Sequence, residues 1–174
     1  MDFQDVMRTR KSVRAYTDRQ VDKEDLDYII EAAQRAPIAG GDRTMSHITV
    51  VTDKGLLDEI RGTCMHHKKD GTPVDPLYGA QVLIVLSATG PSDDLIEYCN
   101  VACAIENMLL AATDRGLGST YIWGCLRKLR QHPELVRKLG LPEGYSMLSS
   151  LVVGYPVEEL AERELTDLIA VDWI

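Results

Sequence analysis

Apolar residues along the chain recur either at helical spacing or in short unbroken runs. Phe3, Val6 and Met7 predict a short amphipathic helix over residues 2–9. Leu26, Ile29, Ile30 and Ala33 form the stripe of a second helix. Asp22 reads as its N-cap, with Asp25 three residues on in a near capping box. Ala36-Pro37 ends that helix, because the residue before proline leaves the helical region. Ile48, Val50 and Val51 suggest a strand, and Leu56, Leu57 and Ile60 a helix starting near Lys54. Residues 64–79, with Gly71, Pro73 and Pro76, read as a long exposed loop or small lid. Val82 to Ser87 is a run of β-branched residues and leucines, the pattern of a central strand buried on both faces. Residues 93–115 carry the longest helical pattern, apolar nearly all round, as in a helix buried in a domain or dimer core. Gly116 closes it. A short strand runs into Ile122-Trp123-Gly124, a helix follows with Leu135, Val136 and Leu139, and Leu148–Val153 is a last strand. Strands alternating with helices predict an α/β or α+β class with one mixed sheet.

The tail from Val157 to Ile174 still carries Leu160, Leu165, Leu168, Ile169, Val171 and Trp173. That much apolar surface after the last strand predicts packing on a partner subunit.

Composition narrows the picture. The 174 residues, 45% hydrophobic and 26% charged, suit a single domain over 1–174 with its own core. No apolar run is long enough to span a membrane, and Met1-Asp2-Phe3-Gln4-Asp5 lacks the look of a signal peptide, so the expected location is cytoplasmic with no membrane partner. Nineteen Lys and Arg against 27 Asp and Glu give a net charge of −8. An acidic chain argues against nucleic acid as a partner. The four cysteines, Cys64, Cys99, Cys103 and Cys125, need not form disulfides. Cys99 and Cys103 have the spacing of a metal pair, and Cys64 lies beside Met65-His66-His67-Lys68. No companion ligand cluster of zinc-like spacing is evident, so no metal is expected and small buried apolar roles are favoured.

Against this acidic background the stretch Thr9-Arg10-Lys11-Ser12-Val13-Arg14-Ala15-Tyr16 stands out. If extended, it points Arg10, Ser12 and Arg14 to one side, with Lys11 and Val13 opposite. Two guanidinium forks and a hydroxyl on one face suit a phosphate or another dianion. A solvated basic patch reads equally well from these residues alone. Ile38-Ala39-Gly40-Gly41 is either a close backbone approach to a ligand or a tight turn. Leu117-Gly118-Ser119-Thr120 is neither a Gly-x-Gly-x-x-Gly nor a Walker sequence. No Ser-His-Asp or Cys-His arrangement offers a nucleophile.

In this order the segments resemble the flavin-dependent nitroreductase family over nearly the whole chain. Arg10-Lys11-Ser12-Val13-Arg14 is similar to that family's Arg-x-Ser-x-Arg/Lys element. Ala32-Ala33-Gln34-Arg35-Ala36-Pro37 is similar to the helix end before its flavin loop. Glu106 to Ala112 through Gly116-Leu117-Gly118-Ser119 resembles its dimer helix and glycine turn, and Val153-Gly154-Tyr155-Pro156 its closing strand. The resemblance implies an α+β, three-layer fold with a mixed central sheet flanked by helices in an intertwined homodimer that binds FMN. NADH or NADPH would donate hydride to flavin N5, and an electron-poor nitroaromatic or quinone acceptor would take it in a ping-pong mechanism, with no catalytic side chain required. Arg10, Lys11, Ser12 and Arg14 would hold the phosphate, the ribityl chain and the N1/O2 edge. Pro37, Ile38, Ala39, Gly40 and Gly41 would line the flavin from the other subunit. Ile122, Trp123 and Gly124 would offer backbone N–H groups to N5 and O4.

Departures from the family pattern are concentrated in the flavin loop. Ile38, Gly41, Arg43, Thr44 and Met45 replace the family's serine, asparagine, glutamine, proline and tryptophan. Arg43 is expected to supply a replacement charge, and Arg163 to stand for a reduced C-terminal basic pair. The altered loop keeps alternatives open: a flavin enzyme of reductive-dehalogenase or oxygen-dependent type, or a non-catalytic or partner-fed flavin-binding, redox-sensing module.

Overall fold

The computed structural model describes residues 1–89, 92–166 and 168–174. In chain order the elements are α1 (Phe3–Thr9), α2 (Lys23–Gln34), β1 (Ser46–Val51), α3 (Lys54–Cys64), the two-residue strands β2 (His66–His67) and β3 (Pro73–Val74), β4 (Val82–Thr89), α4 (Ile96–Asp114), β5 (Gly118–Ile122), α5 (Gly124–Leu129), α6 (Pro133–Lys138) and β6 (Tyr145–Gly154). Four strands form one sheet in the order β1-β4-β6-β5.

The unbroken apolar run of β4 is explained by its place at the centre. Successive side chains leave a strand on opposite faces. Ile84, Leu86 and Ala88 pack with Ile29 of α2 and Ile105 and Met108 of α4. Leu83 and Val85 pack with Leu57 and Ile60 of α3 and Leu126 and Leu129 of α5. The result is three layers, helices on both sides of the sheet, as expected. Each fully buried large aliphatic side chain contributes about 1.5–3 kcal/mol, so both faces of β4 are committed to the core.

The sheet is less mixed than its alternating elements suggest. Every pairing among the four strands is antiparallel. β4 and β5 share a direction across the α4 crossover, but β6 fills the place between them and runs against both. Parallel pairing among the described residues is confined to a bridge between Ser12 and Ser119.

Three local expectations change. Asp22 occupies the N-cap position of α2 but makes no side-chain cap bond. Its carboxylate accepts instead from Arg19 at 3.1 Å and from the Tyr155 hydroxyl at 3.0 Å. Residues 64–79 form more than an exposed loop: β2 pairs with β3, and Leu77 is fully buried. The α4 helix is buried on one face only. Cys99 and Cys103, expected to be buried, are exposed beside Ala102 and Glu106, because no described residue of the chain covers the second apolar face of α4.

Candidate functional site

The basic stretch is laid against the edge of the sheet. Arg10 closes α1, its N–H donating to Val6 at 2.9 Å. Beyond it the chain extends along β5 and the end of β6. The Val13 N–H donates to Ser119 at 3.0 Å and the Thr17 N–H to Tyr155 at 2.9 Å. The Thr120 hydroxyl donates to the Val13 carbonyl, and the Tyr16 and Thr120 hydroxyls meet at 3.2 Å. Alternation then turns Val13 inward and leaves Ser12 and Arg14 exposed. Close approach depends on two glycines. A Cβ on Gly118 would lie 2.9 Å from Val13 Cγ1, and one on Gly154 2.9 Å from Tyr16 Cδ1. Burial pushes the Tyr16 phenol well above its ordinary value, against the opposing effect of its Thr120 hydrogen bond.

Arg14, Ala15 and Tyr16 line an open hollow of about 670 Å³ with His66, Lys68, Asp75 and Tyr78. His66 and Tyr78 also border a hollow of about 370 Å³ that reaches Ile122, Trp123, Gly124, Arg127 and Lys128. A third lobe continues past Lys11, Ser12 and Glu158. The first hollow shares His66 and Tyr78 with the second and Arg14 and Ala15 with the third, so the three adjoin in one concavity, with volumes in the range of ligand sites. Trp123 is 45% exposed on its wall, with the Arg130 guanidinium 5.4 Å from its ring centre. Asp75 is held back as a structural acceptor, taking the Leu77 N–H at 2.8 Å and the Gly79 N–H at 2.7 Å. Lys11, Arg14, Lys68 and Arg127 all line this concavity, and among the described residues none of them meets a carboxylate. The arrangement suits an anionic ligand with an aromatic body.

The concavity thus joins Lys11, Ser12 and Arg14 to Ile122, Trp123 and Gly124. Arg10 leans toward α4, 3.7 Å from Glu106. The Arg163 N–H reaches the Arg8 carbonyl at 3.4 Å, which brings the tail to the basic end of the stretch. Sequence reasoning missed His66, Lys68, Tyr78, Arg127 and Lys128. The one usable signal is His66-His67-Lys68-Lys69, a second basic cluster in an acidic chain, considered above only as a metal-like cluster without companion ligands.

The loop of Pro37, Ile38, Ala39, Gly40, Gly41 and Arg43 lies elsewhere. Ile38 and Arg43 line a separate hollow of about 310 Å³ between α2, β1 and α4, which includes Asn100 and His47. The Ala39 N–H donates to Asn100 Oδ1 at 3.0 Å, and Gly40 and Gly41 take φ values of 78° and 74°. Arg43 donates to the carbonyls of Gln34 and Ala36, both at 2.9 Å, closing the end of α2. Its guanidinium is therefore occupied by backbone rather than offered as a free replacement charge. No residue of this loop lines the Arg14 concavity. One protomer assembles only part of the set of site residues expected from the sequence.

The chain is similar to known proteins over most of its length. The nitroreductase family model matches residues 7–155. A protein of Archaeoglobus fulgidus under the name NADH dehydrogenase/NAD(P)H nitroreductase is 33% identical over 164 residues, 91% of this chain and 88% of that protein. A Bacillus subtilis FMN reductase (NAD(P)H) is 29% identical over 168 residues, 88% of this chain and 65% of that protein. The crystal structure of a Bacteroides fragilis nitroreductase with bound FMN superposes with a TM-score of 0.82 at 28% identity, covering 100% of this chain and 98% of that one.

Proposed function

The chain belongs to the nitroreductase family, and from this we propose that it is an FMN-dependent NAD(P)H oxidoreductase reducing an electron-poor acceptor of nitroaromatic or quinone type by a ping-pong mechanism. The observation that carries this reading is the cationic concavity. In a chain of net charge −8, Lys11, Arg14, Lys68 and Arg127 line the three adjoining hollows without carboxylate partners among the described residues. That donor set fits FMN. Arg10, Lys11, Ser12 and Arg163 would take the phosphate by charge-assisted hydrogen bonds, and Arg14 with Lys68 the electron-rich edge of the ring. Ile122, Trp123 and Gly124 would supply the wall. Bound there, FMN supplies two-electron hydride chemistry, and a cation at its N1 edge favours the reduced form. The side chains bind, orient and exclude water, and none has to act as a nucleophile. With donor and acceptor taking turns in the same concavity, the first product leaves before the second substrate enters.

The remaining expected residues, Pro37 to Gly41 and Arg43, reach a flavin in this reading from a second copy of the chain. The open face of α4 and the tail support a homodimer. Trp173 is 95% exposed, Ile169 92% and Leu168 77%, more apolar surface than a protomer leaves in water without cause. The deciding experiment is the visible absorption spectrum of the purified protein, before and after anaerobic NADH or NADPH. Stoichiometric flavin bands that bleach support the reductase and name the donor. Flavin that stays oxidised refutes NAD(P)H as donor, and a colourless protein that rejects added FMN refutes the reading altogether.

A further inference from the structure

Two thiols reach the concavity from different helices. Cys64 is the last residue of α3 and Cys125 the second of α5. Both are buried, 1% and 4% exposed, yet both line the hollow beside Trp123 and Gly124. Neither is in a disulfide, and both belong to the same buried cluster. Lys128 stands one turn after Cys125, and its ammonium donates at 2.5 Å to the carbonyl of Met65, the neighbour of Cys64. The pair therefore combines a shared place in the core, a place in the lining of the hollow and an adjacent cation. Close packing alone calls for only the first of these.

The two sulfurs are not equivalent. Hydrogen bonding from Cys125, helped by the Lys128 charge and opposed by burial, holds the Cys64 thiol below its ordinary range. Donation to Cys64, followed by burial, pushes the Cys125 thiol up. That asymmetry favours Cys64 as the attacking sulfur and Cys125 as the one that resolves it. Cys99 and Cys103, exposed on α4, lack this environment.

We propose that Cys64 and Cys125 form a peroxide-sensitive dithiol that closes to a disulfide in the wall of the concavity. The Cys64 thiolate attacks one oxygen of a hydroperoxide. An S–O bond forms, the O–O bond breaks, and the other oxygen departs with a proton as alcohol, or as water from hydrogen peroxide. Cys125 sulfur then attacks the Cys64 sulfenic acid: the S–S bond forms, the S–O bond breaks, and the hydroxyl leaves with the Cys125 proton as water. Two thiols lose two electrons and two protons, and the hydroperoxide gains them. A thiol reductant resets the pair by exchange. The disulfide would tie the end of α3 to the first turn of α5, which follows directly from Ile122-Trp123-Gly124. The oxidation state of the pair thereby bears on the same wall proposed to hold the flavin.

The test uses the full chain, both native and as Cys99→Ser/Cys103→Ser, which removes the exposed thiols. Stoichiometric hydrogen peroxide is expected to abolish both remaining thiols in the variant, lower its intact mass by two hydrogens, and yield a Cys64–Cys125 cross-linked peptide without reductant. The native chain should give the same cross-link, and dithiothreitol should reverse it. Adding Cys125→Ser should arrest the reaction at a Cys64 sulfenic acid trapped by dimedone. Adding Cys64→Ser should slow peroxide consumption at least about tenfold, since the thiolate is the reactive form. The proposal is overturned if both thiols of the peroxide-treated native chain still alkylate after unfolding. It is equally overturned if Cys64 oxidises to a sulfinic acid while Cys125 stays free. None of these readouts depends on flavin or on reductase turnover, so the flavin reading stands or falls separately.

Discussion

Gly118→Ala tests how the basic stretch is held. The added Cβ would sit 2.9 Å from Val13 Cγ1 and 3.0 Å from both Cβ and Cγ2, where carbon pairs prefer about 3.5–4.0 Å. Turning χ1 of Val13 can withdraw at most one methyl, and Cβ itself is in the clash. Nor is Val13 free to retreat. It is 7% exposed, its N–H is bonded to Ser119 at 3.0 Å, and its carbonyl accepts from Thr120. The backbone of the stretch must move by about half an ångström, an overpacking cost of about 1–3 kcal/mol. For a chain of this size that lowers Tm by about 2–12 °C. Ser12 and Arg14 ride on the same backbone, so losing one charge-assisted contact worth about 1.5–3 kcal/mol should raise the FMN Kd about 10- to 150-fold. Thermal unfolding of the flavin-free protein and fluorescence titration with FMN measure the two effects. Val13→Ala in the Gly118→Ala background removes both methyl contacts and leaves only the one to Cβ, so the double variant should lose less stability than the sum of the singles, by about 0.5–3 kcal/mol. Strict additivity, or a Gly118→Ala protein that melts with the native one, refutes the argument.

Arg10→Ala should weaken FMN binding by about 1.5–3 kcal/mol, about 10- to 150-fold, while Glu106→Gln, which removes the carboxylate 3.7 Å from Arg10, should tighten it. Calorimetric titration reads both, and an unchanged Kd for Arg10→Ala ends the phosphate role. Asp75→Ala leaves the Leu77 and Gly79 amides without their acceptor. It should cost about 1.5–3 kcal/mol in urea unfolding and weaken flavin binding through displacement of Tyr78, whose φ of 56° depends on that turn. Tyr16 supplies a pH dependence. A phenol whose pKa is raised on folding leaves stability intact below its ordinary value of 10.0 and withdraws it as pH climbs above that value. Stability should therefore fall above pH 10 by up to about 1.4 kcal/mol per pH unit from this group. Tyr16→Phe should flatten that part of the profile, and equal slopes in the two proteins would show that Tyr16 is not the source.

Much of the molecule is determined by short-range sequence pattern. The unbroken apolar run of β4 and the stripes of α2 and α3 identify the elements, because side chains alternate between the two faces of a strand and recur on one face of a helix every three to four residues. The same alternation turns Val13 inward and leaves Ser12 and Arg14 exposed, and the acidic composition makes the basic stretch conspicuous. What only the tertiary structure decided are relations between distant segments. Helix–strand alternation suggested a mixed sheet, whereas the place left between β4 and β5 is filled by β6, a matter of packing order. Asp22 has the letters of a cap and serves Arg19 and Tyr155 instead, since a carboxylate takes the donors that the fold brings nearest. Arg43 is turned onto the end of α2 for the same reason. The pairing of Gly118 with Val13, the addition of His66, Lys68 and Tyr78 to the Arg14 concavity, and the meeting of Cys64 with Cys125 join residues far apart in the chain. No local period encodes such contacts. They arise when helices and strands close around a shared core and bring their ends together at one edge of the sheet.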